Sequence, residues 1–274
     1  MDLKIGAKFG VKIGAFGMMM ASVLALSACQ SASHQAQPHL QKPSAQKLGA
    51  QKISRKASTQ DLAPIRTELA ARYIAAGQLD EAKRALDLAL LADNRYAPAY
   101  DMMGVLLWRE GSAQNLAAAD GYFRRAIALD DGFVQAYNNY GVYLAQTGRA
   151  SEAVPYLQTA GAHLGYAGRA QSLENLGFVL QELSQPAAND AFVRALQAGS
   201  QNPAVHLAVL DFYLQTQPTL AKALYDKMAQ AGEQRLPADV LQRGVQLAAL
   251  AGDDVAKQRR LALLQSAQSQ NFTR

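Results

Sequence analysis

A five-residue phrase with glycine in second place occurs three times in the middle of the chain. The copies are Met103–Leu107, Tyr140–Leu144 and Leu176–Leu180, and their glycines lie 37 and 36 residues apart. Each copy sits in an apolar pattern of helical period, where an interior glycine costs about 1 kcal/mol relative to alanine. Three glycines in one helical phase therefore predict a second helix packed closely against each. The chain is expected to consist of repeats.

A second row of residues supports repeats built from two helices. Downstream of each glycine, a helical segment carries alanine, a bulky apolar residue and alanine again: Ala119, Phe123 and Ala126; Ala153, Leu157 and Ala160; Ala188, Phe192 and Ala195. A period in the mid-thirties with two antiparallel helices is the tetratricopeptide pattern. An ordinary helical bundle with chance glycines is the alternative. The pattern predicts an all-α superhelix with one concave and one convex face.

About five to six helix pairs can be followed between residues 61 and 269, with residues 270–274 left as a tail. The unit that begins at Ala97 is longer than its neighbours, and we expect residues 111–115 to enlarge its turn. The predicted units are Ala63–Tyr96, Ala97–Phe133, Val134–Arg169, Ala170–Ser200, Gln201–Ala231 and a last pair within residues 240–269.

Residues 1–28 resemble a bacterial lipoprotein signal peptide. Three lysines precede an uncharged run of 14 residues, Ile13–Leu26, which is shorter than the roughly 20 residues that span a bilayer as a helix. The run leads into Leu-Ser-Ala-Cys, which resembles a lipobox. We expect cleavage between Ala28 and Cys29, and attachment of acyl chains, palmitate among them, to Cys29, the one cysteine in the sequence. An uncleaved anchor helix with an incidental cysteine is the alternative.

Residues 29–60 are rich in Gln, Ser, Ala, Lys and Pro and contain few large apolar residues. Such a composition cannot bury enough surface to offset conformational entropy, so we expect a flexible linker between the lipid anchor and the repeats. The sorting rule for lipoproteins of this kind, applied to Gln30, implies the outer membrane of a Gram-negative cell. The lipid anchor would then hold the repeat domain in the periplasm.

The charge of the chain does not point to nucleic acid. The sequence has a net charge of +5 and a pI near 9.3, but the positive excess lies in the first 56 residues. Residues 57–274 carry 19 Lys and Arg against 21 Asp and Glu, without the clustered basic stripe that phosphate binding requires. A nucleic-acid partner is therefore excluded.

Groups that could perform chemistry are few. Two of the four histidines lie in the linker, and neither His163 nor His206 stands at metal-ligand spacing from other ligand residues. The sequence has no Gly-x-Ser-x-Gly or His-Glu-x-x-His motif. We expect no catalytic site, metal, cofactor or small-molecule substrate.

The predicted function is instead a binding surface along the concave face, where certain first-helix positions of this repeat type point. Met102, Val105 and Trp108 would form an apolar stripe, since Trp and Met favour binding hot spots. Trp108 packed internally against the enlarged turn is the alternative. Amide groups at the same face could bind a partner's backbone. The full set of candidate partner-binding residues is Met102, Val105, Trp108, Asn138, Asn139, Val142, Asn175 and Phe178.

Three further phrases carry a resemblance to one family. They are Asn138–Gly141, Ser172–Gly177 and Asn202–Val205. With the lipobox and about six degenerate repeats in this order, the sequence resembles the PilF/PilW family of type IV pilus biogenesis lipoproteins, over roughly residues 60–260.

The resemblance implies a pilotin, a non-catalytic scaffold that is anchored by lipid to the outer membrane. Such a protein binds subunits of the pilus secretin and promotes their assembly into the exit pore. The alternative is a lipoprotein adaptor of the same repeat type that recruits murein hydrolases or the machinery for outer-membrane-protein assembly.

Overall fold

The computed structural model describes residues 62–271, with side chains up to residue 269. The predicted signal peptide, the lipidation site and the linker lie outside these residues. Within them the chain forms twelve α-helices and no strand, which confirms the all-α prediction. The helices are α1 Leu62–Ala75, α2 Leu79–Ala92, α3 Ala97–Glu110, α4 Ala113–Leu129, α5 Val134–Gln146, α6 Ala150–Ala162, α7 Arg169–Glu182, α8 Ala188–Gln197, α9 Pro203–Thr216, α10 Pro218–Met228, α11 Ala238–Leu250 and α12 Asp254–Asn271.

The helices pack as six consecutive pairs, each formed by an odd-numbered helix and the even-numbered helix that follows it. Below, the first member of a pair is called the first helix and the other the second helix. Consecutive first helices also pack against one another, as α1 with α3, α3 with α5, α5 with α7 and α9 with α11. No two second helices make comparable contacts within residues 62–271. The closely spaced first helices therefore line the concave side of this stack.

The three glycines of the repeated phrase lie where the two helices of a pair cross. A Cβ atom built on Gly104 would be 2.9 Å from the ring of Phe123, and one on Gly141 would be 2.7 Å from Leu157. A Cβ on Gly177 would overlap the ring of Phe192. The bulky residue of each second helix thus fills the space left by glycine, as the sequence predicts.

The fifth pair departs from this arrangement because Leu210 of α9 occupies the repeat position of the glycines. Leu210 belongs to a second core cluster with Tyr225 of α10 and with Val240 and Leu247 of α11. A Cβ on Gly244 of α11 would overlap the Tyr225 ring. In this part of the chain a glycine therefore faces the second helix of the preceding pair.

The extra residues of the second unit lengthen a helix and not a turn. Only Gly111 and Ser112 separate α3 from α4, and α4 has 17 residues. Ser112 Oγ accepts a hydrogen bond from the backbone N–H of Asn115 at 3.1 Å, so it caps the helix that begins at Ala113. The prediction of an enlarged turn over residues 111–115 is wrong because this cap lets the helix begin three residues earlier.

The last helix is α12, and a buried arginine fastens it to the preceding elements. Arg260 donates to Glu233 Oε1 and to the backbone carbonyl of Gly244, each at 2.8 Å. Its guanidinium also lies 4.5 Å from the centroid of the Tyr225 ring. The helix ends at Asn271, two residues into the segment predicted as a tail.

Candidate partner-binding groove

The candidate residues lie on three neighbouring first helices, α3, α5 and α7. Met102, Val105 and Trp108 are on α3, three others are on α5, and Asn175 and Phe178 are on α7. Because these helices pack side by side, the structure brings all three groups to one face. We call the concave surface formed by α3, α5 and α7 the groove.

Two residues of the predicted apolar stripe belong to the core. Met102 is 7% exposed and Val105 is 1% exposed, so neither presents a side chain to a partner. The reason is the position of α3, which packs against α1, α2, α4 and α5 and buries nine of its 14 residues. The expectation of an exposed stripe on α3 is therefore wrong at these two positions.

Trp108, the third residue of that stripe, is half-buried and faces the next unit. Its ring meets the ring of Tyr143 edge-on, with centroids 6.0 Å apart and an interplanar angle of 88°. The Tyr143 hydroxyl donates to the backbone carbonyl of Leu116 at 2.7 Å, which lies in the first turn of α4. Trp108 therefore helps to join α3 to α5, close to the internal packing considered as the alternative, and part of its indole remains accessible.

The predicted amides form a connected row along the groove. Gln171 donates to Asn175 at 3.3 Å, Asn175 donates to Asn138 at 3.2 Å, and Asn138 donates to Asn139 at 3.5 Å. These four side chains are called the amide row. They link α5 to α7, and all three asparagines are half-buried. The sequence predicts these asparagines as separate binding residues, and the structure joins them by hydrogen bonds.

Asp101 of α3 terminates the amide row and is the residue that sequence reasoning did not select. Its side chain is fully buried, and its Oδ2 accepts from Asn139 Nδ2 at 2.8 Å. Its Oδ1 has no hydrogen-bond partner among the described residues. Burial raises the pKa of Asp101 to about 7, although the bond from Asn139 acts in the opposite direction. A carboxylate inside an otherwise apolar helix was the available signal, since buried acids need a partner.

Apolar surface within the groove comes from Val142 and Phe178. Both side chains are half-buried, and they occupy equivalent positions of the third and fourth units. The Phe178 ring meets the Phe192 ring edge-on at 5.0 Å between centroids. These two residues lie beside the amide row on α5 and α7, so this part of the groove presents amides and two apolar side chains.

Other kinds of site are not found in the described part of the chain. No group of three or more His, Cys, Asp or Glu side chains that could hold a metal ion occurs among these residues. None of the helices there combines the length and the apolar character that crossing a membrane requires. Ala28 and Cys29 lie outside the described residues, so the lipidation site stays a prediction from sequence.

Six helix pairs, three of them with a glycine of the first helix packed against a bulky side chain of the second, and a stack in which first helices contact one another define a tetratricopeptide-repeat protein. No protein-family model matches the chain. Over 183 residues the chain is 31% identical to the type IV pilus assembly protein PilF of Pseudomonas aeruginosa. The aligned region makes up 66% of this chain and 71% of PilF.

Solved structures that resemble the chain include two proteins of type IV pilus systems. One is Pseudomonas aeruginosa PilF, with a TM-score of 0.59 and 27% identity over 79% of this chain and 99% of PilF. The other is PilW, described as a widely conserved type IV pilus biogenesis factor, with a TM-score of 0.52 and 23% identity over 75% of this chain and 93% of PilW. The likeness to PilW shows the fold alone.

The chain belongs to the PilF/PilW family of tetratricopeptide-repeat proteins of type IV pilus biogenesis.

Proposed function

We propose that this protein is a pilotin, an outer-membrane lipoprotein that binds subunits of the type IV pilus secretin and promotes their assembly. The single observation that carries the proposal is the match to PilF, at 31% identity over 71% of that protein. The family resemblance supplies the secretin as partner. The work is done by binding alone, without a catalytic step, cofactor or small-molecule substrate.

The groove suits this role because it is a preformed surface on rigid elements. Three first helices hold Asn139, Val142, Asn175 and Phe178 in one continuous face. A surface of amides and apolar groups fits an extended protein segment, whose backbone can bond the amides and whose side chains can contact the apolar groups. We propose that secretin binds there, with the accessible part of Trp108 at one edge and Met102 and Val105 supporting the groove from the core.

The lipid anchor is the second part of the proposal. Acylation of Cys29 after cleavage following Ala28 would fix the chain to the outer membrane, since several acyl chains together exceed the threshold for stable anchoring. The 32 residues from Cys29 to Gln60 would separate the anchor from the helices. The repeat domain would then meet secretin subunits in the periplasm, next to the membrane that they enter.

Heat-stable secretin multimers test the proposed function in cells. An immunoblot would compare wild type, a deletion strain and Cys29→Ala. We expect multimers to disappear on deletion, and to be fewer or mislocalised in the cysteine variant. Unchanged multimers with normal piliation in the deletion strain would overturn the pilotin proposal, and cross-linking would then identify the partner of a tethered adaptor.

A further inference from the structure

The hydrogen bonds of the amide row all run in one direction. Each side chain from Gln171 to Asn139 donates through its NH₂ group to the oxygen of the next, and the last donation goes to Asp101. The row therefore crosses three first helices and ends on a fully buried carboxyl group. Bonds arranged head to tail in this way polarise and strengthen one another.

The direction of the row follows from the chemistry of its end. An ionised carboxylate only accepts hydrogen bonds, so Asn139 must turn its NH₂ group towards Asp101. The Asn139 oxygen then faces Asn138, and the same constraint passes along the row to Asn175. An amide at position 101 could donate or accept, and the row would lose this constraint.

The fixed direction determines what the groove offers a partner. Asn138 Oδ1 accepts two hydrogen bonds, from Ser172 Oγ at 3.0 Å and from Asn175 at 3.2 Å, so both of its lone pairs are engaged. Each asparagine NH₂ group has two hydrogens and uses one of them within the row. The three half-buried asparagines thus retain one N–H each for a partner, three in all, whereas two acceptor positions stay free, one on Asn175 and one on Asn139.

We propose that Asp101 is a positioning residue that orients the amide row so that the groove recognises backbone carbonyl oxygens of an extended partner segment. This inference rests on the proposed function for the identity of the partner, a secretin segment. Hydrogen-bond complementarity favours this occupant, because the asparagines keep three free N–H donors against two free acceptor positions, and backbone carbonyl oxygens accept from such donors. Val142 and Phe178 would contact the apolar side chains of that segment.

Glu174 of α7 provides a matched comparison within the same fold. It occupies the fourth unit's equivalent of the Asp101 position, and it is 6% exposed. Its two oxygens accept from Ser200 at 2.6 Å and from Asn202 at 2.9 Å, so it ties α7 to the turn before α9 and takes no part in the amide row. Glu174→Gln therefore removes a buried carboxylate without altering the direction of the row.

The direction of the row can be measured without any partner. In the full chain, purified in detergent micelles at about pH 8 so that most Asp101 is ionised, selective ¹⁵N labelling would report the side-chain NH₂ signals of the eight asparagines. Asn139→Ala assigns the signal of interest. We expect Asp101→Asn to shift the Asn139 and Asn138 NH₂ signals, and Glu174→Gln to leave them in place. Unchanged signals in Asp101→Asn would overturn the positioning role.

Recognition of carbonyl groups is tested with the unsubstituted protein and overlapping synthetic peptides that cover the secretin. Single thioamide replacements in a bound peptide weaken a backbone acceptor and strengthen the adjoining N–H donor. We expect about a tenfold loss of affinity where a carbonyl meets the amide row, and a similar loss in Asp101→Asn but not in Glu174→Gln. Tighter binding of every thioamide peptide would show an acceptor-presenting groove and overturn the inference.

Failure of the inference and failure of the proposed function are distinguishable. If no secretin peptide and no intact secretin binds the unsubstituted protein, the proposed function and the identity of the partner are both overturned, while the NMR comparison still decides the role of Asp101. If peptides bind but the thioamide and Asp101→Asn effects are absent, the proposed function stands and the inference is overturned.

Discussion

At the scale of single residues, the same amino acid has different consequences in different surroundings. Gly104, Gly141 and Gly177 lie under a bulky side chain, where a Cβ would collide with a ring or a leucine. Gly121 of α4 is also inside a helix, but a Cβ there would meet nothing within 4 Å. The helical cost of glycine is therefore offset by close packing at the first three positions and not at the fourth.

Alanine substitution separates the two kinds of glycine. We expect Gly177→Ala to lower the free energy of unfolding by about 1–3 kcal/mol, because the new methyl group overlaps the ring of Phe192. Gly121→Ala should raise it by up to about 1 kcal/mol, since only the helix propensity changes. Urea unfolding followed by circular dichroism measures both. Equal effects of the two substitutions would contradict the interlocked packing of the pairs.

The raised pKa of Asp101 makes the free energy of unfolding depend on pH, and the sign of that dependence follows from the direction of the shift. The ordinary value is 3.8, and burial raises the pKa of Asp101 in the folded chain to about 7. No cationic side chain among the described residues forms an ion pair with Asp101, and the nearby Tyr166 has its own pKa raised by burial and by the Asp101 charge. Between about pH 4 and about pH 7, Asp101 is protonated in the folded chain and ionised in the unfolded chain. Stability contributed by this group is therefore fully present at low pH and is lost as the pH rises to about 7.

Asp101→Asn tests this sign by difference, since the other titrating groups are common to both proteins. The free energy of unfolding of the variant, minus that of the wild type, should increase between about pH 5 and about pH 8, by at most about 1.4 kcal/mol per pH unit. Urea titrations at both pH values give the difference. A constant or decreasing difference would show that Asp101 is not buried as an uncompensated carboxyl group.

At the scale of elements, the structure shows which features the sequence could predict. The glycine phrases predict the pairing of α3 with α4, α5 with α6 and α7 with α8, because a bulky apolar residue between two alanines follows each glycine in the next helix. The sequence did not show whether the extra residues of the second unit lengthen a turn or a helix. They lengthen helix α4, because Ser112 caps the helix that begins at Ala113. The fate of Met102 and Val105 depended on how many helices surround α3, which their spacing alone does not reveal.

The candidate groove was also predictable only in part, because contacts between helices cannot be read from the spacing of residues along the chain. The repeat register correctly places Asn138, Asn139 and Asn175 on neighbouring first helices, because the register is periodic. Their bonds to one another depend on side-chain orientation across helices, and Asp101 becomes visible as the end of the row only when α3 and α5 are side by side. Sequence spacing gives the face but not the direction of its hydrogen bonds.

The attachment of α12 depends on one of two adjacent arginines. Arg260 is 9% exposed and binds Glu233, the Gly244 carbonyl and the Tyr225 ring, whereas the Arg259 side chain is 61% exposed and pairs with the other oxygen of Glu233. We expect Arg260→Met to destabilise the chain by about 2–4 kcal/mol, because it leaves a nearly buried carboxylate with its best partner removed. Arg259→Met should cost less than about 1 kcal/mol.

Hydrogen exchange of the α12 amides provides the measurement for this pair. Faster exchange in α11 and α12, with little change in α1 to α6, is expected for Arg260→Met, since each pair in a repeat stack contacts only its neighbours. Similar exchange in the two arginine variants would contradict the role assigned to Arg260.

At the scale of the whole molecule, the helical pairs form a scaffold that presents one face of first helices and one face of second helices. The amide row and its flanking apolar residues lie on the face of first helices. In the proposed function, a lipid anchor at Cys29 brings that face to the outer membrane and secretin binds along it. The central claim is therefore that the groove, and not the surface formed by the second helices, contacts secretin.

Site-specific photo-cross-linking in living cells tests this claim most directly. A photoreactive amino acid would replace Phe178 or the exposed Gln146 in the groove, and Ala117 or Ala128, both exposed on α4, as matched controls. We predict cross-links to secretin from the two groove positions and none from the two controls, in strains that still assemble secretin multimers. Cross-links from α4 alone would contradict the account and place the partner on the opposite face.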